Sequence, residues 1–444
     1  MCCKLRRKDA IVLPKQSAAG LYAYPCLSST CYRPNYRFVY FQYAHASVSA
    51  HPTQTIQISA KTYLQINSIQ LNPLLKYVSD TINTINMQFL HQAEIIKKNF
   101  HQELRGASEG RNTSLQFIKH RLPSEKLVKN DEIFQVMVVG GTVFRKALVK
   151  KVNGEILMLE DHSEAHPALS SKEMFLEFVS DQIHPQSDIV SINFAFPLDP
   201  LIRDGRMDGT LIRDTKENTL AGLLHQPIGK LLEGYLLKTW GKEYKINTTN
   251  DAICLLLSKL KGHERGNIAG SVIGTGTNIS FYYNDFAINL ESGNFNKFAP
   301  TAECLEIDKA SDHQDKGLFE KEIAGAYLYK QFNYYMRKNK INHPLINSTK
   351  ELYDIAINNH DVEIKAIAES FFEKSAAYFA GQIAGLTAFK GHDMTFVTEG
   401  SVYWENQIYQ AYFGEYLNNL SPDLKIKIVK IENSSIIGAA RLIA

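Results

Sequence analysis

Asn250-Asp251, then Ser271-Val272-Ile273-Gly274-Thr275-Gly276-Thr277-Asn278, then Ile288-Asn289-Leu290-Glu291-Ser292-Gly293: these segments follow one another within the stretch Tyr244 to Gly293. Tyr244 to Thr249 is a β-branched and polar run that reads as a strand, and Ala252 to Leu260 is an apolar run that reads as a helix. Asp251 is thereby placed where a strand ends and a helix begins. Ser271-Val272-Ile273 reads as a second strand, the Gly/Thr segment as a turn, and Ile279 to Tyr283 as a third strand. A Gly/Thr turn between strands points several backbone N–H groups at one spot and forms a concavity suited to an anion. Glu291 is a further carboxylate at a strand end. Taken singly, Asn-Asp is an N-cap and Gly-Thr-Gly a hairpin. In this order they supply a proton acceptor, an anion cradle and a carboxylate able to hold sugar hydroxyls.

The same design occurs earlier in the chain. Phe134 to Val139 reads as a strand, Gly140-Gly141-Thr142 as a turn, and Phe144 to Val149 as a strand carrying Arg145. With these residues in view, the chain from about Asn86 onward resembles hexokinases. The strand-Asn-Asp, Gly-Thr-Gly-Thr-Asn and Asn-Leu-Glu-x-Gly segments carry the resemblance, and further segments extend it in the same order. These are Phe194-Ala195-Phe196-Pro197, Thr215-Lys216, Leu318-Phe319-Glu320-Lys321-Glu322-Ile323-Ala324-Gly325, Glu399-Gly400-Ser401-Val402-Tyr403 and Glu432 to Ala440. Several positions depart from the family pattern. Val138 and Val143 stand where hexokinases have Asp and Asn around the first turn, and Ala195 replaces a serine. Asp214 and Glu217 replace Trp and Gly, Glu322 replaces a Met, and Ser434 and Ile436 fill glycine positions.

The resemblance implies a two-domain α/β protein with an actin-like ATPase, ribonuclease H-like fold and a ligand cleft between the domains. It assigns residues 76–249 to a small N-terminal domain and 250–444 to a large C-terminal one. It implies ATP-dependent phosphorylation of a hexose, glucose first, at the 6-hydroxyl, the opening step of glycolysis, with ATP and Mg²⁺ as cofactors. Asp251 would be the general base, and Thr215, Lys216, Asn250, Asn278, Glu291 and Glu320 would bind the sugar. Gly140, Gly141, Thr142, Arg145, Gly274, Thr275, Gly276, Thr277, Gly400 and Ser401 would hold the nucleotide, and no side chain is assigned directly to metal. The substitutions at Val138, Val143, Ser434 and Ile436 all fall on the magnesium and nucleotide side, with Ile436 expected to crowd the ATP pocket. The alternative is therefore a catalytically silent sugar-binding sensor.

Composition sets the frame. A chain of 444 residues with 44% apolar content has room for two cores, and a net charge of +3 is too mild to argue for nucleic acid. No uninterrupted apolar run is long enough to span a membrane. Cys254 and Cys304 lie apart from Cys2, Cys3, Cys26 and Cys31, a distribution unlike a disulfide framework, so a reducing cytoplasm is expected. Cys26, Cys31, His45 and His51 approach zinc-finger spacing without the accompanying helix. Residues 1 to 75 hold one acid, Asp9, and read as a disordered extension or a transit segment.

Helical expectations complete the reading. Ile85, Phe89, Ala93, Ile96, Phe100 and Leu104 form one apolar stripe ending near Gly106 as C-cap. Ser170-x-x-Glu173 reads as a capping box opening a helix whose Met174, Phe175, Phe178 and Val179 face a core. Gly317 to Lys338 and Glu363 to Phe389 read as long helices.

Overall fold

Alternating and apolar runs become strands in two sheets, and the two sheets repeat one topology. The first has the order Lys245–Asn250, Ile189–Phe194, Ile133–Val139, Val143–Val152, Glu155–Ala165. Its first two junctions are parallel and its last two antiparallel. The second has the order Ile426–Val429, Met394–Glu399, Ile268–Ile273, Thr277–Tyr283, Phe286–Asn289, again with two parallel junctions followed by antiparallel ones, and adds Ile118–Arg121 at its far edge. The Gly140 and Gly274 turns therefore occupy the same place, between the third and fourth strand of each sheet. This duplication is the two-domain, actin-like architecture that the motifs imply.

The computed structural model describes residues 73–444 except 141–142, 166, 168, 213–220 and 260–261, together with two-residue strands at Tyr32–Arg33 and Tyr36–Arg37. Residues 73–444 form one compact unit. The cysteine and histidine spacing between Cys26 and His51, and the expected disorder of the extension, fall outside the described residues. Helix Pro73–Ser108 begins just before the expected boundary at residue 75 and runs through Gly106, which is not its cap. Its stripe holds as expected, since Ala93, Ile96, Phe100 and Leu104 are fully buried. That helix packs on helix Val362–Lys390, where a Cβ on Gly381 would come within 2.8 Å of the Ala93 carbonyl and one on Gly385 within 2.9 Å of the Lys97 carbonyl. Strand Ile118–Arg121 in turn pairs with Phe286–Asn289 at the edge of the second sheet.

Two local expectations shift. Ser171, rather than Ser170, caps helix Lys172–Asp181 by accepting from the Met174 amide, and Met174 points outward while Phe175, Leu176 and Val179 are buried. The helix expected over 317–338 is two helices, Leu318–Ile323 and Gly325–Lys338, because Ala324 is extended. The break lets the Gly325 and Ala326 amides donate to the carbonyls of Gly274 (2.8 Å) and Thr275 (3.2 Å). Backbone bonds to the turn replace the helical ones given up at Ala324.

The edge strand Ile118–Arg121 buries His120 completely, and neither ring nitrogen has a hydrogen-bond partner. Burial pushes its pKa down from 6.5 to about 3. The folded imidazole stays neutral where the unfolded one takes a proton, so its contribution to stability is complete above pH 6.5 and is lost as pH falls below it. The loss should approach about 1.4 kcal/mol per pH unit. Melting curves between pH 7 and 5 should show wild type losing more stability than His120→Leu, and equal slopes would refute the assignment.

Candidate functional site

Strand Lys245–Asn250 delivers Asn250 and Asp251 to the junction of the two sheets. The Asn250 side-chain oxygen accepts from the Ala252 amide at 3.0 Å and caps helix Asp251–Leu257, while its Nδ2 donates to the Phe196 carbonyl at 3.3 Å. The capping reading of Asn250 is thus correct, and its amide also ties the strand to the Phe194-Ala195-Phe196 segment. Asp251 is half-buried, with Oδ1 accepting from the Ala252 amide at 2.8 Å. Ser280 Oγ donates to the Ala252 carbonyl at 2.5 Å and pins this helix to the second sheet.

The turn after Ile273 gathers the polar side chains expected together. Asn278 Oδ1 accepts from the amides of Ile279 (2.8 Å) and Ser292 (3.2 Å), and its Nδ2 donates to Asn289 Oδ1 at 2.9 Å. Asn289 Nδ2 in turn donates to Glu291 Oε1 at 2.9 Å. Glu291 has a φ of 50°, a left-handed conformation uncommon for residues other than glycine and one that re-aims the chain out of the strand. Glu320, in the first turn of helix Leu318–Ile323, accepts from the Thr277 amide at 3.1 Å. Asn278, Glu291 and Glu320 thus meet around one turn.

The glycines of that turn serve approaches of chain to chain. A Cβ on Gly276 would lie 2.5 Å from Glu320 Oε2, and one on Gly274 would lie 3.1 Å from Gly400 Cα. Gly400 itself has a φ of +117°, open to glycine alone. Gly276→Ala should therefore displace Glu320 from the Thr277 amide, which should then exchange its proton about tenfold faster or more, the cost of one misplaced charged hydrogen bond. Amide hydrogen exchange on the folded variant checks this, and unchanged protection of Thr277 would show that Glu320 keeps its place. Within the turn, the Gly274 amide donates to the Gly276 carbonyl at 3.0 Å and the Thr277 amide to Glu320. Among the described residues no hydrogen bond is made by the Thr275 or Gly276 amides, and two adjacent donors of this kind fit a phosphate oxygen.

The first turn differs. Gly140 donates to the Val143 carbonyl at 3.0 Å, and a Cβ there would meet the same oxygen at 2.7 Å. Gly141, Thr142, Thr215 and Lys216 lie outside the described residues. Arg145, expected to contact nucleotide, is engaged by Asp161, with Nε at 2.7 Å from Oδ1, and by the Asn433 side chain. Its guanidinium holds the Asp161 carboxyl below the usual range. Val138, half-buried, lies across from Arg145 and beside Asn193 in the sheet.

Ile436 corrects an expectation. It is fully buried in the apolar cluster with Ile253, Leu256, Ala439 and Ala440, so its bulk fills a core and does not crowd a nucleotide pocket. Ser434 donates to the Glu399 carboxylate, which also accepts from the Ser435 amide. Burial raises the Glu399 pKa, Ser434 opposes the rise, and the neighbouring charge of Asp251 adds to it. Glu399 and Asn289 lie inside the quoted motifs without a role assigned to them there, and the structure bonds them to Ser434 and to Asn278 and Glu291. Glu399 directly precedes Gly400-Ser401, and Asn289 is a lone amide in an otherwise apolar strand, so both left a signal.

The fold has counterparts among known proteins. Residues 335–444 match the hexokinase family model. No curated protein matches the sequence. Among solved structures, a hexokinase from Schistosoma mansoni complexed with glucose is similar at a TM-score of 0.67 and 17% identity, covering 83% of this chain and 99% of that one. A second hexokinase gives 0.61 and 18%, covering 82% and 99%. A ROK family glucokinase from Streptomyces griseus, in complex with glucose and AMPPNP, gives 0.50 and 14%, covering 70% and 99%. The resemblance carried by the motifs thus extends to the whole architecture: the chain has the two-domain, actin-like fold of hexokinases, and its last quarter matches that family's sequence pattern.

Proposed function

We propose that this protein is a hexokinase, transferring the γ-phosphoryl group of ATP to the 6-hydroxyl of a hexose, with glucose the first candidate. The observation that carries the reading is the meeting of Asn278, Glu291 and Glu320 around the Gly276 turn, next to a helix that begins with Asp251. Sugar hydroxyls pair with acceptors of both kinds, carboxylate and amide, so the group suits a polyol. Asp251 accepts the hydroxyl proton as the oxygen attacks, a task that needs a carboxylate at hydrogen-bond distance. Asn250 lies beside Asp251, and Thr215 and Lys216 are assigned to the sugar by the motif resemblance alone.

The Thr275 and Gly276 amides, with the Gly140-Gly141-Thr142 turn, hold phosphate oxygens, and Gly400 and Ser401 border the nucleoside. Magnesium bound with the nucleotide supplies neutralising charge to the transferred group. Closure of the two lobes excludes water from the transfer. The glucose and AMPPNP named in the similar structures support these ligand classes. A cytoplasmic setting at the start of glycolysis follows from the same reading; among the described residues no helix is long and apolar enough to cross a membrane.

The test is direct. Purified full-length protein with glucose and Mg-ATP should form glucose 6-phosphate above an enzyme-free control. Calorimetric glucose binding without any sugar phosphate would favour the silent sensor, and absence of both across several hexoses would overturn the reading.

A further inference from the structure

Directly after Glu320 come two charged residues that point into the protein. Lys321 is 4% exposed and Glu322 is fully buried, although the resembling family segment has a methionine at the second position. Lys321 Nζ pairs with Asp308 and donates to Ser311 Oγ (2.9 Å) and the His313 carbonyl (2.7 Å). The Glu322 carboxylate pairs with Lys374 and accepts from both the amide and the hydroxyl of Thr301, each at 2.8 Å. Lys374 also donates to Gln331 Oε1 at 2.6 Å, and Gln331 Nε2 donates back to the carbonyls of Lys321 (2.6 Å) and Glu322 (3.0 Å).

These contacts converge on one short element. Thr301 caps helix Ala302–Lys309 and Asp308 lies in its last turn, so consecutive residues of helix Leu318–Ile323 are held at the two ends of the same neighbour. Ser375 Oγ, next to Lys374, donates to the Ile323 carbonyl at 2.7 Å. A six-residue helix that ends at an extended residue has little rigidity of its own. Buried ion pairs contribute little net stability compared with apolar residues of the same volume, but their directional bonds define one arrangement.

We propose that Glu322 and Lys374 are positioning residues whose buried pair, with Gln331 and Thr301, holds the Glu320 carboxylate in register against the Thr277 amide. The inference rests on the hexokinase reading for its consequence, the binding of sugar by Glu320, while the arrangement it describes is testable without any ligand. Glu320 touches the Gly276 turn, and Glu322 and Lys374 act only through it.

The experiment compares full-length Lys374→Met, Glu322→Gln and the double variant Glu322→Met/Lys374→Met, which removes both charges at once. Amide hydrogen exchange reads the Thr277 N–H that Glu320 holds. The proposal expects Thr277 to exchange about tenfold faster or more in each folded variant, with Phe281 farther along the same strand unchanged. Hexose affinity should fall by a similar factor, and should not fall further when the substitutions are made in a Glu320→Gln background. Unchanged Thr277 protection in the folded variants overturns the proposal, as does an equal loss over the whole strand, or an affinity loss of the same size in the Glu320→Gln background. Should Lys374→Met fail to fold, Glu322→Gln and the double variant decide the question by the same exchange measurement. A wild type that binds no hexose would sink the sugar-kinase reading alone, because exchange at Thr277 still decides this one.

Discussion

Asp251→Asn is expected to lower turnover by about 10²–10⁴-fold, the range for loss of a positioned proton acceptor, while glucose affinity stays within about an order of magnitude. Asparagine has the shape of aspartate, and its side-chain oxygen can still accept from the Ala252 amide, as the Asp251 carboxylate does at 2.8 Å. The helix start is therefore preserved and only the basicity is removed. A loss confined to kcat identifies an interaction needed in the transition state, and a loss confined to KM would instead make Asp251 a binding residue. An unchanged kcat in a variant with a wild-type melting temperature would take Asp251 out of the mechanism.

Val138→Asp carries the second large effect. The side chain is half-buried against the cluster that contains Ile436, and its neighbours across the sheet are Arg145 and Asn193. Asn193 is buried with Oδ1 lacking a partner, and Arg145 brings a cation, so a carboxylate at 138 enters a polar corner of the sheet. If it acts as an outer partner of magnesium, the initial rate of hexose phosphorylation should rise about 10–100-fold. Because Ile436 lies in the core, it does not stand in the way of such a rescue. Initial rates at saturating Mg-ATP decide it. A variant that folds, binds hexose and shows no gain would mean that the first turn does not work through magnesium in this chain.

What is legible in the residues is local. The strands flanking Gly140 and Gly274, the Asn250 cap and the stripe from Ala93 to Leu104 rest on neighbours in sequence, and alternation or periodicity reveals such elements. The missing pieces are pairings across long separations. Nothing near Arg145 announces Asp161 or Asn433, and nothing near Glu322 announces Lys374, fifty-two residues on. The break at Ala324 is hidden for the same reason, since the donors gained at Gly325 and Ala326 are matched by carbonyls in a distant turn. Ile436 misleads because a bulky residue at a glycine position suggests obstruction, whereas the side chain is part of the apolar core. For the site, residue types and order point to the polar group around Gly276, but the bonds by which Asn289 links two of its members emerge only in three dimensions.

The packing of helix Pro73–Ser108 on helix Val362–Lys390, and of strand Ile118–Arg121 on Phe286–Asn289, has a consequence for biosynthesis. On a ribosome the apolar stripe of Ala93, Ile96, Phe100 and Leu104 emerges long before the helix that will cover it. At elongation rates of about 5–20 residues per second, more than two hundred residues correspond to tens of seconds of exposure. During that interval the nascent helix displays a row of aliphatic and aromatic side chains to solvent, the kind of surface that holdase chaperones capture. Expression in cells depleted of such chaperones should therefore cost more soluble yield for this protein than for one whose first helix finds its partner nearby.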